Sequence, residues 1–138
     1  MTSRILVPVD LDHIDKLDKA LDIAGKAAKE HGATVTYVSV IDPVPTASKR
    51  LEGHEAQKKL DAFADAQANT HGIRTDDHVV LRGDLHLHVG REIIRAAEDA
   101  SCDLIVMASH VPGFKDHFLT SNAGYVATYA PVSVHVVR

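Results

Sequence analysis

The chain has 138 residues, 45% of them hydrophobic and 25% charged, with a formal net charge of -4. This length and balance predict one globular domain spanning residues 1–138 and exclude a disordered chain. No apolar run approaches the roughly 20 residues of a membrane span, and no concentrated basic stripe suggests nucleic-acid binding. Cys102 is the only cysteine, and the chain opens on a strand pattern without a signal peptide, so we expect a cytoplasmic protein.

Strand and helix patterns alternate along the chain. Apolar or β-branched runs typical of strands occupy residues 4–9, 34–41, 77–82, 103–108 and 132–137. Apolar residues at helical spacing cover residues 13–31, 54–71, 89–100 and 121–129. A loop is predicted from the end of the second strand to Gly53. The order βαβαβαβαβ predicts right-handed crossovers and a parallel sheet with helices on both faces.

Four stretches of the sequence resemble, in order and at nearly the same spacing, the universal stress protein (UspA) family. They are Ile5–Asp10, Val38–Asp42, Asp103–His110 and Ala130–Arg138. Residues 108–112 and 121–123 are most similar to the small UspF/UspG-like subgroup, whereas residues 84–89 look like an insertion. The resemblance implies an α/β, Rossmann-like fold of the adenine nucleotide alpha hydrolase type. Its five-stranded parallel sheet would have the order 3-2-1-4-5.

In such a sheet a ligand binds outside the carboxyl ends of the strands, at the point where the strand order reverses. Here that point lies between the first and fourth strands and brings together Pro8, Val9, Asp10, Met107, Ala108, Ser109 and His110. The resemblance places Asp10 in the base and ribose pocket and Val40 near adenine. From the residues alone, Asp10 is better explained as an ordinary turn aspartate, and only the resemblance makes the two interpretations equal. His110 could contact phosphate, but a surface histidine is at least as good an interpretation.

The phosphate loop departs from the family pattern. ATP-binding members carry Gly-x-x-Gly, nine residues and then Gly-Ser or Gly-Thr, because glycines let the backbone approach phosphates and helix N-terminal amides donate to the anion. In this chain Ala108 and Val111 replace the first two glycines. The final pair is Ser121-Asn122 at strict spacing, or Thr120-Ser121, which we prefer, if the loop is one residue shorter. Since valine is strained at positive φ, a different loop path is expected, with hydroxyls still at a helix start.

Two functions of different class follow. The first is a stress-response regulatory module that binds an adenine nucleotide, ATP with or without Mg²⁺, through this glycine-poor loop, and that at most hydrolyses ATP slowly. The second is a dimeric protein-interaction module that binds no nucleotide. An open anion pocket at residues 108–121 would favour the first, and a pocket filled by Val111 or Phe114 the second.

The remaining sequence patterns bear on metal binding and on association with other protein chains. His86 and His88, with Asp84 and His78 nearby, could suit Zn²⁺, but no second ligand pair has a recognisable spacing, so an exposed polar loop is preferred and no metal is predicted. In the family order the last strand is a sheet edge, and an apolar edge needs cover. We therefore predict a homodimer through residues 131–138, together with an unidentified regulated protein.

Overall fold

A computed structural model describes residues 2–11, 13–41, 47–76, 78–82, 89–109 and 122–138. Within these residues, strands and helices alternate as predicted. The strands are β1 (Arg4–Pro8), β2 (Thr34–Ile41), β3 (Arg74–Thr75), β4 (Val79–Arg82), β5 (Leu104–Ala108) and β6 (Ser133–Val137). The α-helices are α1 (Asp18–His31), α2 (Ala47–His71), α3 (Val89–Asp99) and α4 (Ala123–Tyr129), and a 3-10 helix (Ile14–Lys16) precedes α1. None of the helices in these ranges is long and apolar enough to cross a membrane.

The sheet is parallel throughout and has the order β3-β2-β1-β5-β6, with β4 also paired to β2. This confirms the α/β class and the predicted strand order. The predicted count of five strands is corrected to six, because the third strand is divided into β3 and β4. Both halves pair with β2, at Thr34–Arg74 and Val38–Val79 respectively.

A hydrogen bond from the β2 backbone to a side chain accounts for the division of the third strand. The Tyr37 N–H faces this edge of β2 and donates to Nδ1 of His78, 3.2 Å away, instead of to a strand carbonyl. The preceding Asp76 donates its own N–H to Val35 and directs its carboxylate to the Arg4 guanidinium. A side-chain nitrogen therefore replaces one backbone carbonyl as hydrogen-bond acceptor between the strands. The regular pairing resumes at Val79.

Gln57 of α2 completes the outer edge of β4. Its amide Nε2 donates to the His78 carbonyl at 3.0 Å, and its Oε1 accepts the Val80 N–H at 3.3 Å. Since successive residues of a strand direct their backbone groups to opposite sides, these two groups face away from β2. The amide takes the place that a further strand would occupy.

Two helix starts differ from the predictions by five residues or more. The second helix begins at Ala47 rather than at residue 54, because the helix-forming residues before Gly53 outweigh its cost of about 1 kcal/mol. The first helix does not run unbroken from residue 13, since the 3-10 turn over Ile14–Lys16 comes first. The predicted ends are confirmed: Gly32 and Gly72 adopt positive φ, as glycine does directly after a helix.

The core lies on both faces of the sheet, as predicted. Tyr37 of β2 packs edge-to-face on Phe63 of α2, with ring centroids 5.2 Å apart. The neighbouring Thr36 instead lines a groove with Ala96 of α3. β1 and β5 are buried between these layers, with all residues from Ile5 to Pro8 and from Ile105 to Ala108 buried. Such two-sided burial explains why these strands are continuous apolar runs.

Candidate functional site

The carboxyl ends of β1 and β5 lie side by side in the sheet, where the strand order reverses. β1 pairs with β2 on one side and with β5 on the other. In the β1–β5 register Ile5 faces Leu104 and Leu6 faces Ile105, so the two strands run in the same direction and their carboxyl ends, followed by Asp10 and by Ser109, lie at the same edge of the sheet. The structure thus brings together the two segments that the sequence assigned to the site.

Asp10 is a buried carboxylate with an imidazole partner. The residue is 6% exposed. Oδ2 of its carboxylate lies 2.8 Å from Nδ1 of His13, and the backbone of His13 also donates to the Asp10 carbonyl at 3.0 Å. Sequence reasoning missed His13. The signal that could have found it is a histidine three residues after an aspartate that ends a strand, a spacing that one turn brings into contact.

Four other predicted site residues contribute backbone rather than side chains. Pro8, Val9, Met107 and Ala108 are all buried. The Val9 N–H donates to the Val38 carbonyl at 2.7 Å, which extends the pairing with β2 beyond the end of β1. Their side chains belong to the core, so a ligand at this edge would meet them through main-chain atoms.

Ser109 and Asn122 each form a hydrogen bond between two secondary-structure elements. The Ser109 N–H and hydroxyl both donate to the Val137 carbonyl, at 2.8 and 3.2 Å, and fasten the end of β5 to β6. Asn122, directly before α4, accepts the Gly90 N–H at 3.1 Å and so satisfies an amide in the first turn of α3. The starts of α3 and α4 are therefore joined beside the strand ends.

The other predicted positions lie outside the described residues. They are His110, Val111, Thr120 and Ser121 of the loop, with Phe114 between them, and Asp84, His86 and His88 of the apparent insertion. Only the backbone of Val40 is described, paired with Leu81 in the β2–β4 ladder. In the described ranges, no group of three or more histidine, cysteine or acidic side chains is arranged to hold a metal ion.

A sequence model of the universal stress protein family matches residues 1–138. The chain belongs to the universal stress protein family. It is 28% identical over 149 residues to universal stress protein G of Shigella flexneri, and the alignment covers 100% of each chain. This confirms the resemblance seen in the sequence, including its similarity to the UspG-like proteins.

Solved universal stress protein structures share the fold. One from Archaeoglobus fulgidus, in complex with dAMP, superposes with a TM-score of 0.72 at 21% identity and covers 99% of this chain and 98% of its own. Another, in complex with cAMP, gives a TM-score of 0.70 at 18% identity, covering 99% of this chain and 97% of its own. At these identities the comparison extends to the fold and not to the ligands.

Proposed function

We propose that this universal stress protein is a cytoplasmic regulatory module that binds an adenine nucleotide at the carboxyl ends of β1 and β5. The observation that carries the proposal is the position of Asp10, a buried carboxylate directly beyond the end of β1, where the strand order reverses between β1 and β5. Ligands of open parallel sheets bind at such points. The dAMP and cAMP complexes of proteins with the same fold support the choice of an adenine nucleotide.

ATP, with or without Mg²⁺, is the nucleotide that we propose, and binding rather than rapid turnover is the proposed activity. Ser109 and Asn122, two polar side chains suited to phosphate, hydrogen bond within the fold. We therefore propose that the phosphate contacts come mainly from the backbone, from the segment between them and from other side chains near Asp10. Such a site favours occupancy as a regulatory signal, with at most slow hydrolysis.

The test is isothermal titration of purified protein with ATP and Mg²⁺, preceded by mass analysis for nucleotide retained through purification. We expect micromolar binding that weakens at least about tenfold in Asp10→Ala. Asp65→Ala is the matched control, because it removes the same charge from an exposed position on α2. No binding by the wild type at millimolar ATP would refute the proposal.

A homodimer through residues 131–138 is the second proposal, and β6 supports it. β6 ends the strand order, and its side chains from Ser133 to Val136 alternate between exposed and half-buried. Because the Val137 carbonyl faces β5, the N–H of Val134 faces outward, toward the position of a further strand. Val134→Pro removes that donor without removing a bond to β5.

Light scattering coupled to gel filtration tests the dimer. The wild type is expected to have twice the mass of the chain at micromolar concentration, and Val134→Pro the mass of one chain with an unchanged far-UV spectrum. Lys58→Ala, an exposed change on α2, is the control. A monomeric wild type would refute this assembly.

A further inference from the structure

A groove of about 540 Å³ lies between strands β2 and β4 and the carboxyl end of α3. Its floor is formed by Thr36 and Val38 of β2, each 1% exposed. Ala96 of α3 and Ala100, one helical turn later, line the side formed by the helix. Because each contributes only a methyl group, they leave space between α3 and β4. The volume lies within the range of small-molecule pockets, and the described lining residues include none of the candidate nucleotide site.

The β4 side of the groove is apolar but closed to a further strand. Val79 of β4 lines the groove and is 43% exposed. An aliphatic group that covers this side chain would remove apolar surface from water, which favours binding. At the outer edge of β4, Gln57 already bonds to the His78 carbonyl and the Val80 N–H, so a strand of another chain cannot pair there without displacing it. The groove therefore suits a small aliphatic molecule rather than a strand.

The carboxyl end of α3 is acidic, in contrast to the ends of α1 and α2. The last turn of α1 contains Lys29 and His31, and that of α2 contains His71. α3 instead ends on Glu98 and Asp99, with no basic residue in its last turn. The helix dipole makes this end negative, so acidic side chains here lower the stability of the helix. Since Asp99 lines the groove, a bound cation would offset this cost and explain why the acids are there.

The cations near this end of α3 are already paired with other acids. Arg4 bonds to the floor of the groove, but both of its terminal nitrogens also bond to the Asp76 carboxylate. Arg95, one turn before Asp99, lies 3.7 Å from Glu92 instead. Among the described residues, no hydrogen bond or ion pair engages the carboxylate of Asp99. A negative charge at the groove is therefore not compensated within this part of the fold.

The imidazole of His78, which also lines the groove, adds no positive charge in this arrangement. Its Nδ1 accepts the Tyr37 N–H at 3.2 Å, and a ring nitrogen that accepts a hydrogen bond carries no proton. We propose that the groove is a binding site for a small organic cation, an aliphatic ammonium ion whose carbon chain covers Val79 and whose charged group lies beside Asp99. This site is separate from the nucleotide site and does not rest on the proposed function.

NMR of ¹⁵N-labelled protein, titrated at neutral pH and low ionic strength, tests the site with ligands of equal chain length. Hexylammonium, hexanol and hexanoate carry a positive charge, no charge and a negative charge respectively. Hexylammonium is expected to bind in the millimolar range and to shift the amide signals of Val79, Ala96 and Ala100. Hexanol should bind roughly two- to fivefold more weakly, the value of an ion pair near the surface, and hexanoate more weakly still.

Asp99→Asn removes the charge and keeps the size of the side chain. It should weaken hexylammonium binding to the level of hexanol and leave hexanol binding unchanged. The variant is expected to fold, because an amide replaces an acid that the helix end disfavours. Asp65→Asn, the same change at an exposed position on α2, is the matched control.

Several outcomes would overturn this site. They are a wild type that does not bind hexylammonium, hexanoate binding as tight as hexylammonium binding, unchanged hexylammonium binding in Asp99→Asn, and signal shifts confined to residues outside the groove. Displacement of hexylammonium by AMP would place the groove within the nucleotide site and would overturn it as a separate site. Hexylammonium binding that persists in Asp10→Ala would support the separation, whether or not that variant binds ATP.

Discussion

Gly25 of α1 lies against the ring of His71 in α2, and alanine at this position should destabilise the protein. Gly25 is buried within α1. A Cβ built there would lie 2.5 Å from Cγ and 2.6 Å from Nδ1 of the His71 ring, in the last turn of α2. These distances are far inside ordinary van der Waals contact, so either the ring or the helix must move.

The size of the effect follows from two opposing terms. Replacing a glycine by alanine inside a helix gains about 1 kcal/mol of helix propensity. Overpacking a well-filled contact costs about 1–3 kcal/mol. Gly25→Ala should therefore lower the free energy of unfolding by roughly 0–2 kcal/mol. With His71→Ala in place the ring is gone, and the same change should raise that free energy by about 1 kcal/mol.

Urea unfolding of the wild type, both single variants and the double variant, followed by far-UV circular dichroism, measures the coupling. We expect an interaction energy of about 1–3 kcal/mol. Gly124→Ala in α4 is the control, because no described residue lies within 4 Å of a Cβ there. An interaction energy below about 0.5 kcal/mol would show that the ring yields without cost, and the reasoning would be wrong.

Three further predictions concern single polar groups. Burial alone would raise the pKa of Asp103, but hydrogen bonds from Ser3 and from the β1 backbone hold it below its ordinary value. Its contribution to stability should thus be complete at neutral pH and be lost as pH falls below about 4, and Asp103→Asn should flatten that loss in urea unfolding curves measured against pH. Gln57→Ala removes both bonds to the β4 edge and should speed amide exchange at Val80, whereas an unchanged rate would contradict the edge contact. Burial raises the pKa of Tyr37 far above its usual range, and its hydroxyl has no hydrogen-bond partner among the described residues. Tyr37→Phe should consequently leave the melting temperature unchanged or higher, and a clear decrease would reveal a partner for the hydroxyl.

The sequence located four strands to within one residue. β2 has the predicted bounds, and β1, β5 and β6 lie within theirs, because short runs rich in apolar and β-branched residues in an alternating α/β chain are typical of parallel strands. The third strand was the exception. Its division depends on the His78 ring bonding to the backbone of Tyr37, 41 residues away in sequence, and no local pattern contains that contact.

The start of α2 shows a different limit. Pro43 and Pro45 indicated a loop, and extending that loop to Gly53 gave too much weight to one glycine in a stretch of good helix formers. The cost of one glycine is about 1 kcal/mol, which a helix of this length offsets through its packing. Turn residues predict where a loop begins more reliably than they predict how long the loop is.

Within the candidate site, the sequence located the strand ends but not the contact that each side chain makes. Asp10, Ser109 and Asn122 are all polar residues at positions where the family resemblance implies a ligand. Ser109 bonds to a carbonyl 28 residues away, and Asn122 to an amide 32 residues away, so their roles depend on elements that only the fold brings near. The Asp10–His13 contact spans three residues and was open to local reasoning. The glycine motif of the phosphate loop begins at residue 108 and does not extend to His13, so the motif gave no signal for this contact.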